Sequence, residues 1–219
     1  LGINLNNPHL SLYSMRGERK RDYPANLFFQ QPWWPENRLI ADYMARLSYA
    51  LSQGRRVVDL LVLHPMGSAW SRYRPDSTAA VSRLDQALAE LEQVLLGHQR
   101  DFHYGDELLM EKFARVDPAG PFLEVGQMRY RAVIVPSSHT WSAHTTRLLK
   151  AFAAAGGLIL AIPPLPGEVE GSPDAKPLPA PTLVVELAQL PAELDARLPW
   201  DVRLETSAKV WVHHRCQGM

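Results

Sequence analysis

Three short apolar runs constrain the fold of this 219-residue chain more than any other feature. They are VVDLLVLH at 57–64, RAVIVP at 131–136 and GLILAI at 157–162, and each is nearly free of polar residues. A strand with one solvated face alternates apolar and polar residues, whereas a strand buried on both faces is apolar throughout. The runs therefore predict strands of a parallel sheet that is covered on both sides.

Amphipathic segments lie before and between these runs. Apolar residues recur every three or four positions in 35–53, 78–97 and 141–155, which predicts three helices with one apolar face each. The apolar face of the first predicted helix consists of Leu39, Ile40, Tyr43, Met44, Leu47 and Leu51. Strands alternating with helices are typical of a doubly wound α/β sheet. We therefore expect a flavodoxin-like α/β domain over 55–163.

The other segments give weaker patterns. We interpret 65–77 as a loop, 101–104 as a short extended segment, 107–114 as a brief helix and 122–128 as a hairpin. Seven prolines between 163 and 181 are typical of a linker or an extended surface segment. We expect a linker with a short helix over 164–200, including an edge strand at 183–186 and the helix at 190–198. Residues 201–219 would then begin a β domain, with antiparallel strands at 202–204 and 210–213.

Composition excludes several classes of function. The apolar fraction of 46% and charged fraction of 21% are those of a globular protein. With 23 basic and 23 acidic side chains, the net charge of zero does not favour nucleic acid or an anionic membrane as a partner. No apolar run approaches the roughly 20 residues of a membrane helix. Cys216 is the single cysteine, which excludes an intrachain disulfide and weakly favours a reducing, cytoplasmic compartment.

Both ends of the chain run directly into patterned sequence. The chain starts at Leu1 with no signal-peptide pattern, opens a strand-like segment over 3–14, and stops just after the strand-like KVWVHHR. Natural termini are more often polar and frayed. We therefore expect a segment of a longer polypeptide.

The predicted α/β domain carries no motif of a cofactor enzyme. The loop after the first strand, HPMGSAWSRY, lacks both GxGxxG and GxxxxGK[ST], so we expect no cofactor. A class I amidotransferase would place a cysteine nucleophile in VIVPSSHTWS, where this chain has Ser137, Ser138, His139 and His144 without GxSxG. We interpret the domain as a degenerate, non-catalytic relative of that fold. The spacing of His139 and His144, and of His213 and His214, does not favour a metal site.

The segment 9–34, HLSLYSMRGERKRDYPANLFFQQPWW, has an unusual mixture of charges and large aromatic residues. Adjacent tryptophans are costly to expose, and flat apolar faces beside charged and amide groups are typical of a site that binds a polyhydroxylated ring. The candidate substrate-binding residues are His9, Tyr13, Arg16, Lys20, Asp22, Gln31, Trp33 and Trp34. The alternative interpretation is a solvated charged loop followed by aromatic core residues. The segment RGERKR, taken alone, favours this alternative.

Charged residues between a strand and a long amphipathic helix are also typical of a βα-loop at the top of a (β/α)8 barrel, where such loops build the active site. We therefore predict that 1–54 is the C-terminal part of a TIM barrel.

The pattern H-x-x-x-YS-x-x-G-x-RK-x-D-Y-P, followed by QQPWW and then by VDLLVLHP, resembles the bacterial α-L-rhamnosidase-like glycoside hydrolases of family 106 and close relatives. The residues that carry it are His9, Tyr13, Ser14, Gly17, Arg19, Lys20, Asp22, Pro24, Gln30, Gln31, Pro32, Trp33 and Trp34. The domain with YRAVIVP and AFAAAGGLILAI is similar to the amidotransferase-like domain that follows the barrel in such enzymes, and VWVHHR resembles the start of the next β domain.

This resemblance implies cleavage of a glycosidic bond by two carboxylates, with a carbohydrate substrate and the remainder of the parent polypeptide as partners. The catalytic carboxylates are expected mainly upstream, so no catalytic residue is assigned here, Glu18 and Asp22 included, and the fragment alone is expected to be inactive. The competing interpretation is a non-catalytic α/β module that serves interdomain packing or homo-oligomerisation.

Overall fold

The computed structural model describes residues 3–8, 14, 16–20, 27–174, 177–180 and 182–218. The chain forms two compact units, one made of 1–56 with 215–219 and the other of 57–214. In chain order the α-helices are α1 (Asn37–Ser52), α2 (Met66–Arg72), α3 (Ala79–Gly97), α4 (Glu107–Phe113), α5 (Ala143–Ala154) and α6 (Leu190–Arg197). Short 3₁₀ helices cover Gly17–Lys20, Trp34–Glu36 and Leu187–Gln189.

The strands are short. In chain order they are β1 (Arg55–Arg56), β2 (Leu60–Leu63), β3 (Phe102–Gly105), β4 (Ala114–Val116), β5 (Leu123–Val125), β6 (Met128–Tyr130), β7 (Ala132–Val135), β8 (Thr140–Trp141), β9 (Leu158–Ala161), β10 (Glu168–Val169), β11 (Ser172–Pro173), β12 (Leu183–Val184) and β13 (Arg215–Cys216).

The larger unit is built on a parallel sheet with the strand order β12-β9-β7-β2-β3. Counted along the chain, this is the order 2-1-3-4-5, one of the two common orders of doubly wound sheets. The three apolar runs form β2, β7 and β9 in its centre, which confirms the predicted buried parallel sheet and the mixed α/β class. The extended segment predicted at 101–104 supplies the edge strand β3.

Burial on both faces explains why these strands contain so few polar residues. In β7, Val133 and Val135 belong to one apolar cluster, whereas Ala132 and Ile134 belong to the other. Helices α4 and α5 contribute Met110, Leu148, Leu149 and Phe152 to the first cluster. Helices α3 and α6 contribute Leu88, Leu91, Leu95, Leu190 and Leu194 to the second. A strand between two such layers is stabilised by apolar burial on each side.

The predicted helices are confirmed, but their environments differ. Helix α5 begins where Ser142 caps the backbone N–H of Thr145, and α4 begins where Asp106 caps that of Leu109. Helix α1 forms with no buried residue at all. Its predicted inner face is open to solvent, since Leu39 is 70% exposed and Ile40 is 64% exposed.

Several expectations about the remaining segments were wrong. Residues 66–72 form α2 where we expected a loop, because only Ser68 of this helix is buried and no apolar periodicity marks it. Residues 202–204 and 210–213 form no strand; instead β13 pairs antiparallel with β1. Residues 3–8 are not a strand, and 9–13 lie outside the described residues.

The parallel-sheet unit also extends past residue 163. Strand β12 is the fifth strand of the sheet, and α6 packs on its second face, so the compact unit reaches His214. A three-stranded antiparallel sheet, β4-β5-β6, contains the hairpin predicted at 122–128. The division of the chain into domains at 54, 163 and 200 stays a prediction.

Candidate functional site

The two adjacent tryptophans lie in a tightly coiled segment, residues 28–36, which we call the aromatic turn. The backbone N–H of Gln31 donates to the carbonyl of Phe28, and that of Trp34 donates to Gln31, both at 3.0 Å. Glu36 N–H donates to the Trp33 carbonyl at 2.9 Å. These successive turns lead directly into α1 and place the indole rings on one short piece of backbone.

The aromatic turn presents part of each indole ring to solvent. Trp33 is 39% exposed and Trp34 is 36% exposed, and their ring centres lie 6.2 Å apart at an angle of 48°. Gln31 is buried, with 8% of its surface exposed. Two tilted rings of this kind provide apolar surfaces on which a flat ligand can pack.

The structure brings together three of the eight predicted site residues, namely Gln31, Trp33 and Trp34. Arg16 is exposed, and its backbone N–H donates to the Ser14 hydroxyl at 3.1 Å. Lys20 ends the 3₁₀ helix Gly17–Lys20. The other predicted residues, His9, Tyr13 and Asp22, lie outside the described residues.

A buried serine of α2 joins the segments that follow β2 and β7 at the carboxyl edge of the parallel sheet. The Ser68 hydroxyl accepts from the backbone N–H groups of His139 and Thr140, both at 3.0 Å, and donates to the Thr140 carbonyl at 2.8 Å. Ser68 is fully buried. We call this arrangement the Ser68 bridge.

The Ser68 bridge occupies the place where doubly wound sheets usually bind their ligands, outside the carboxyl ends of the strands at the change in strand order. Two adjacent backbone N–H groups there can hold an anion or a developing oxyanion. Here both donors are already satisfied by a side chain of the same chain. The crevice is therefore closed at this point.

The serine and histidine residues of the predicted elbow make no catalytic arrangement among the described residues. The buried Ser138 hydroxyl donates to the Pro136 carbonyl at 2.9 Å and not to an imidazole. Burial lowers the pKa of His139, and the positive charges of Arg72 and Arg83 lower it further against the opposing effect of Glu168. His139 is therefore neutral near pH 7.

Sequence reasoning missed a pocket of about 340 Å³ beside α2, which we call the edge pocket. Its wall includes Met66, Trp70, Asp106, Glu107, Trp141 and Glu170. These residues come from α2, from the N-terminus of α4, from β8 and from the β10–β11 turn. The one signal in the sequence was Trp70, an aromatic residue in a segment that otherwise resembles a polar loop.

Within the described residues, no group of three or more His, Cys, Asp or Glu side chains is placed to hold a metal ion. No helix within the same residues is long and apolar enough to cross a membrane.

Comparison with known proteins shows a likeness in fold. No family model and no curated protein matches the sequence. A solved rhamnosidase from Novosphingobium sp. PP1Y is similar over 89% of this chain, with a TM-score of 0.55 and 17% identity. At that identity the likeness concerns the fold alone. The chain spans 19% of the length of that rhamnosidase.

Weaker likenesses link the chain to two other carbohydrate enzymes. A catalytic mutant of a GH42 beta-galactosidase from G. stearothermophilus has a TM-score of 0.48 at 14% identity, over 68% of this chain and 20% of that one. A GH42 exo-carrageenase from Bacteroides ovatus has a TM-score of 0.46 at 12% identity, over 72% of this chain and 18% of that one. These two scores are too low to support an argument. The likeness to the rhamnosidase gives the chain a glycoside hydrolase-like fold.

Proposed function

We propose that this chain is a segment of a glycoside hydrolase, and that the parent polypeptide cleaves α-L-rhamnosides as a member of family 106 or a close relative. The observation that carries the proposal is the similarity in fold to a rhamnosidase over 89% of the chain, which corresponds to 19% of that enzyme. The order of motifs from His9 to Trp34 supports the same class from the sequence.

In this proposal, residues 1–54 are the C-terminal part of the barrel. The exposed apolar face of α1 supports this, because the helices of a (β/α)8 barrel bury that face against the strands. Leu39, Ile40 and Tyr43, all more than half exposed, would be covered by the rest of the barrel. The aromatic turn directly precedes α1 and so takes the position of a βα-loop, the part of a barrel that contacts substrate.

The proposed roles of the site residues follow from their chemistry. Trp33 and Trp34 would pack against the sugar ring. Polar groups would bind its hydroxyls, and they belong to His9, Tyr13, Arg16, Lys20, Asp22 and Gln31. Two carboxylates supplied by other barrel strands would act as general acid and as base or nucleophile.

The larger unit would be a flavodoxin-like domain related to class I amidotransferases, without catalysis of its own. The strand order supports the first part, and the Ser68 bridge supports the second because it fills the donor pair that a reaction there would need. A second candidate function, packing between domains or copies, is favoured by α4, where Leu108, Leu109 and Phe113 are each more than half exposed.

Hydrolysis of aryl glycosides tests the proposal. The full-length protein that contains this chain, and the chain alone, are assayed with aryl α-L-rhamnoside and aryl β-D-galactoside by release of the phenol. We expect the full-length protein to cleave the rhamnoside in preference to the galactoside, and the chain alone to cleave neither. A folded full-length protein that hydrolyses no aryl glycoside would overturn the proposed function. Equal activity in the chain alone would overturn its status as an incomplete segment.

A further inference from the structure

A pocket distinct from the edge pocket lies at the carboxyl edge of the parallel sheet, on the side where α3 packs. It is formed by α3 and by the segments that follow β7 and β9, all of them parts of the larger unit. Its volume of about 340 Å³ falls in the range of small-molecule sites, and this edge of a doubly wound sheet is the usual location of ligands. We call it the Ser137 pocket, and its polar wall consists of Arg83, Gln86, Glu90, Ser137 and His139.

Ser137 carries a hydroxyl that the protein itself does not satisfy. The residue is 8% exposed, and its hydroxyl forms no hydrogen bond with another described residue. The neighbouring Ser138 hydroxyl, by contrast, donates to the Pro136 carbonyl at 2.9 Å. The Ser137 oxygen is not completely enclosed by protein atoms, whereas the indole nitrogen of Trp141 is. A ligand in the pocket can therefore supply the partner that this mostly buried hydroxyl lacks.

Arg83 places a positive charge in the same pocket. It is exposed and forms no ion pair or hydrogen bond with another described residue, so its N–H donors are available to a ligand. Burial is the main cause of the lowered pKa of His139, and the charge of Arg83 contributes to it. The guanidinium therefore lies close enough to the imidazole to act on it. Arg83, Ser137 and His139 thus provide hydrogen-bond donors within one pocket.

The charges that line the pocket favour a monoanion over a dianion. Glu90 follows Arg83 on α3 at a distance of about 10 Å along the helix axis, and one of its oxygens accepts from the Gln86 amide at 2.9 Å. With one unpaired cation and a carboxylate at some distance, this wall attracts a single negative charge more readily than the double charge of a phosphate. The planar guanidinium of an arginine also matches a carboxylate through two parallel N–H···O bonds.

We propose that the Ser137 pocket binds a small organic carboxylate. Arg83 pairs with the carboxylate, the Ser137 hydroxyl donates to one of its oxygens, and an imidazole N–H of His139 donates to it as well. The site binds this ligand and no reaction is assigned to it. The proposal does not depend on the proposed function, because it uses groups of the larger unit only.

Equilibrium dialysis of the full-length protein that contains this chain tests the proposal. The probes are radiolabelled lactate and benzoate, their neutral amides lactamide and benzamide, and inorganic phosphate, all at pH 8 and low salt, where phosphate is a dianion. We expect at least one carboxylate to bind saturably, with one molecule per chain. Its amide and phosphate should each bind at least tenfold more weakly.

Variants then assign the binding to the Ser137 pocket. Arg83→Gln is expected to weaken binding of the carboxylate by about tenfold or more, and Ser137→Ala by about fivefold. Glu90→Gln is expected to strengthen it by about twofold, because it removes an opposing charge about 10 Å away. The matched controls are Arg147→Gln and Ser82→Ala, which change exposed residues outside the pocket and leave binding unchanged.

The outcomes that would overturn the proposal are distinct. Failure of both carboxylates to bind saturably overturns it, as would happen if another part of the protein covers the pocket. Equal binding in the wild type and Arg83→Gln overturns it too, and a thermal midpoint measured for each variant shows that the fold is kept. Phosphate that binds more tightly than both carboxylates, or an amide that binds as tightly as its acid, would show a site for a different class of ligand.

Discussion

A single buried hydroxyl, that of Ser68, closes the central part of the carboxyl edge of this sheet. It satisfies two backbone N–H groups and one carbonyl on a loop 71 to 72 residues away in the chain. No local sequence pattern predicts such a contact, because Ser68 lies in a segment with the composition of a loop. The sequence predicted a connection after the strand at 131–136, but not that the N–H groups of His139 and Thr140 are occupied by a side chain.

The first prediction concerns the Ser68 bridge. Ser68→Ala leaves the N–H groups of His139 and Thr140 buried without an acceptor, and we expect the free energy of unfolding to fall by about 2–4 kcal/mol. Urea unfolding measures the change. The matched control is Ser71→Ala, since Ser71 is exposed and donates only to the Ser68 carbonyl at 2.9 Å; there we expect a loss below about 0.5 kcal/mol. Equal losses in the two variants would contradict the bridging role.

The second prediction concerns pH and the carboxylate of Asp195. Burial raises its pKa, but hydrogen bonds from His98 and Arg100 outweigh burial and hold the pKa below the ordinary value of 3.8. A carboxyl with a lowered folded pKa stabilises the fold above its unfolded pKa, and this stabilisation is lost as the pH falls through the folded pKa. We therefore expect unfolding free energy below about pH 4 to fall more steeply in the wild type than in Asp195→Asn. Parallel pH profiles would contradict this role for Asp195.

At the scale of elements, what could be predicted depended on burial. The strands β2, β7 and β9 were predicted because both of their faces are buried, which removes polar residues from the sequence. Helices α3 and α5 were predicted because one face of each is buried. Helix α2 was missed because Ser68 is its one buried residue, which leaves no apolar periodicity in the sequence. The prediction of strands at 202–204 and 210–213 was wrong. Alternating apolar and polar residues form a strand only where a neighbouring strand is available to pair with.

Helix α1 is the exception, because its periodicity is strong and its face is uncovered. If this face is buried in the parent protein, Ile40→Lys should change the unfolding free energy of the chain alone by less than about 0.5 kcal/mol, as expected for an exposed position. In the full-length protein the same change should cost about 3 kcal/mol or more, because it buries a charge. Thermal unfolding of both proteins provides the measurement.

The matched control for α1 is Asp42→Lys, on the opposite side of the helix. Asp42 is exposed and makes a surface ion pair with Arg38, which contributes little to stability. We expect this variant to be tolerated in both proteins. A full-length protein that tolerates Ile40→Lys as well as Asp42→Lys would show that the apolar face of α1 stays uncovered.

At the scale of the whole molecule, the chain has a glycoside hydrolase-like fold and spans about a fifth, 19%, of the rhamnosidase it resembles. The composition of 9–34 predicted a ligand-binding segment, and the structure places Trp33 and Trp34 side by side with exposed ring surface. The other groups that would contact these rings could not be predicted, because the proposed barrel site would be assembled from loops far apart in the chain. The edge pocket was missed for the same reason, since Glu107 and Ser142 meet across 35 residues.

We propose that the aromatic turn forms part of the substrate site of a glycoside hydrolase. The most direct test compares kcat/KM for an aryl α-L-rhamnoside between the full-length wild type and Trp34→Ala, with Trp211→Ala as the control for loss of an exposed tryptophan. We predict that Trp34→Ala lowers kcat/KM by about tenfold or more with an unchanged thermal midpoint, and that Trp211→Ala leaves both unchanged. Equal kcat/KM values in the wild type and Trp34→Ala would contradict the claim.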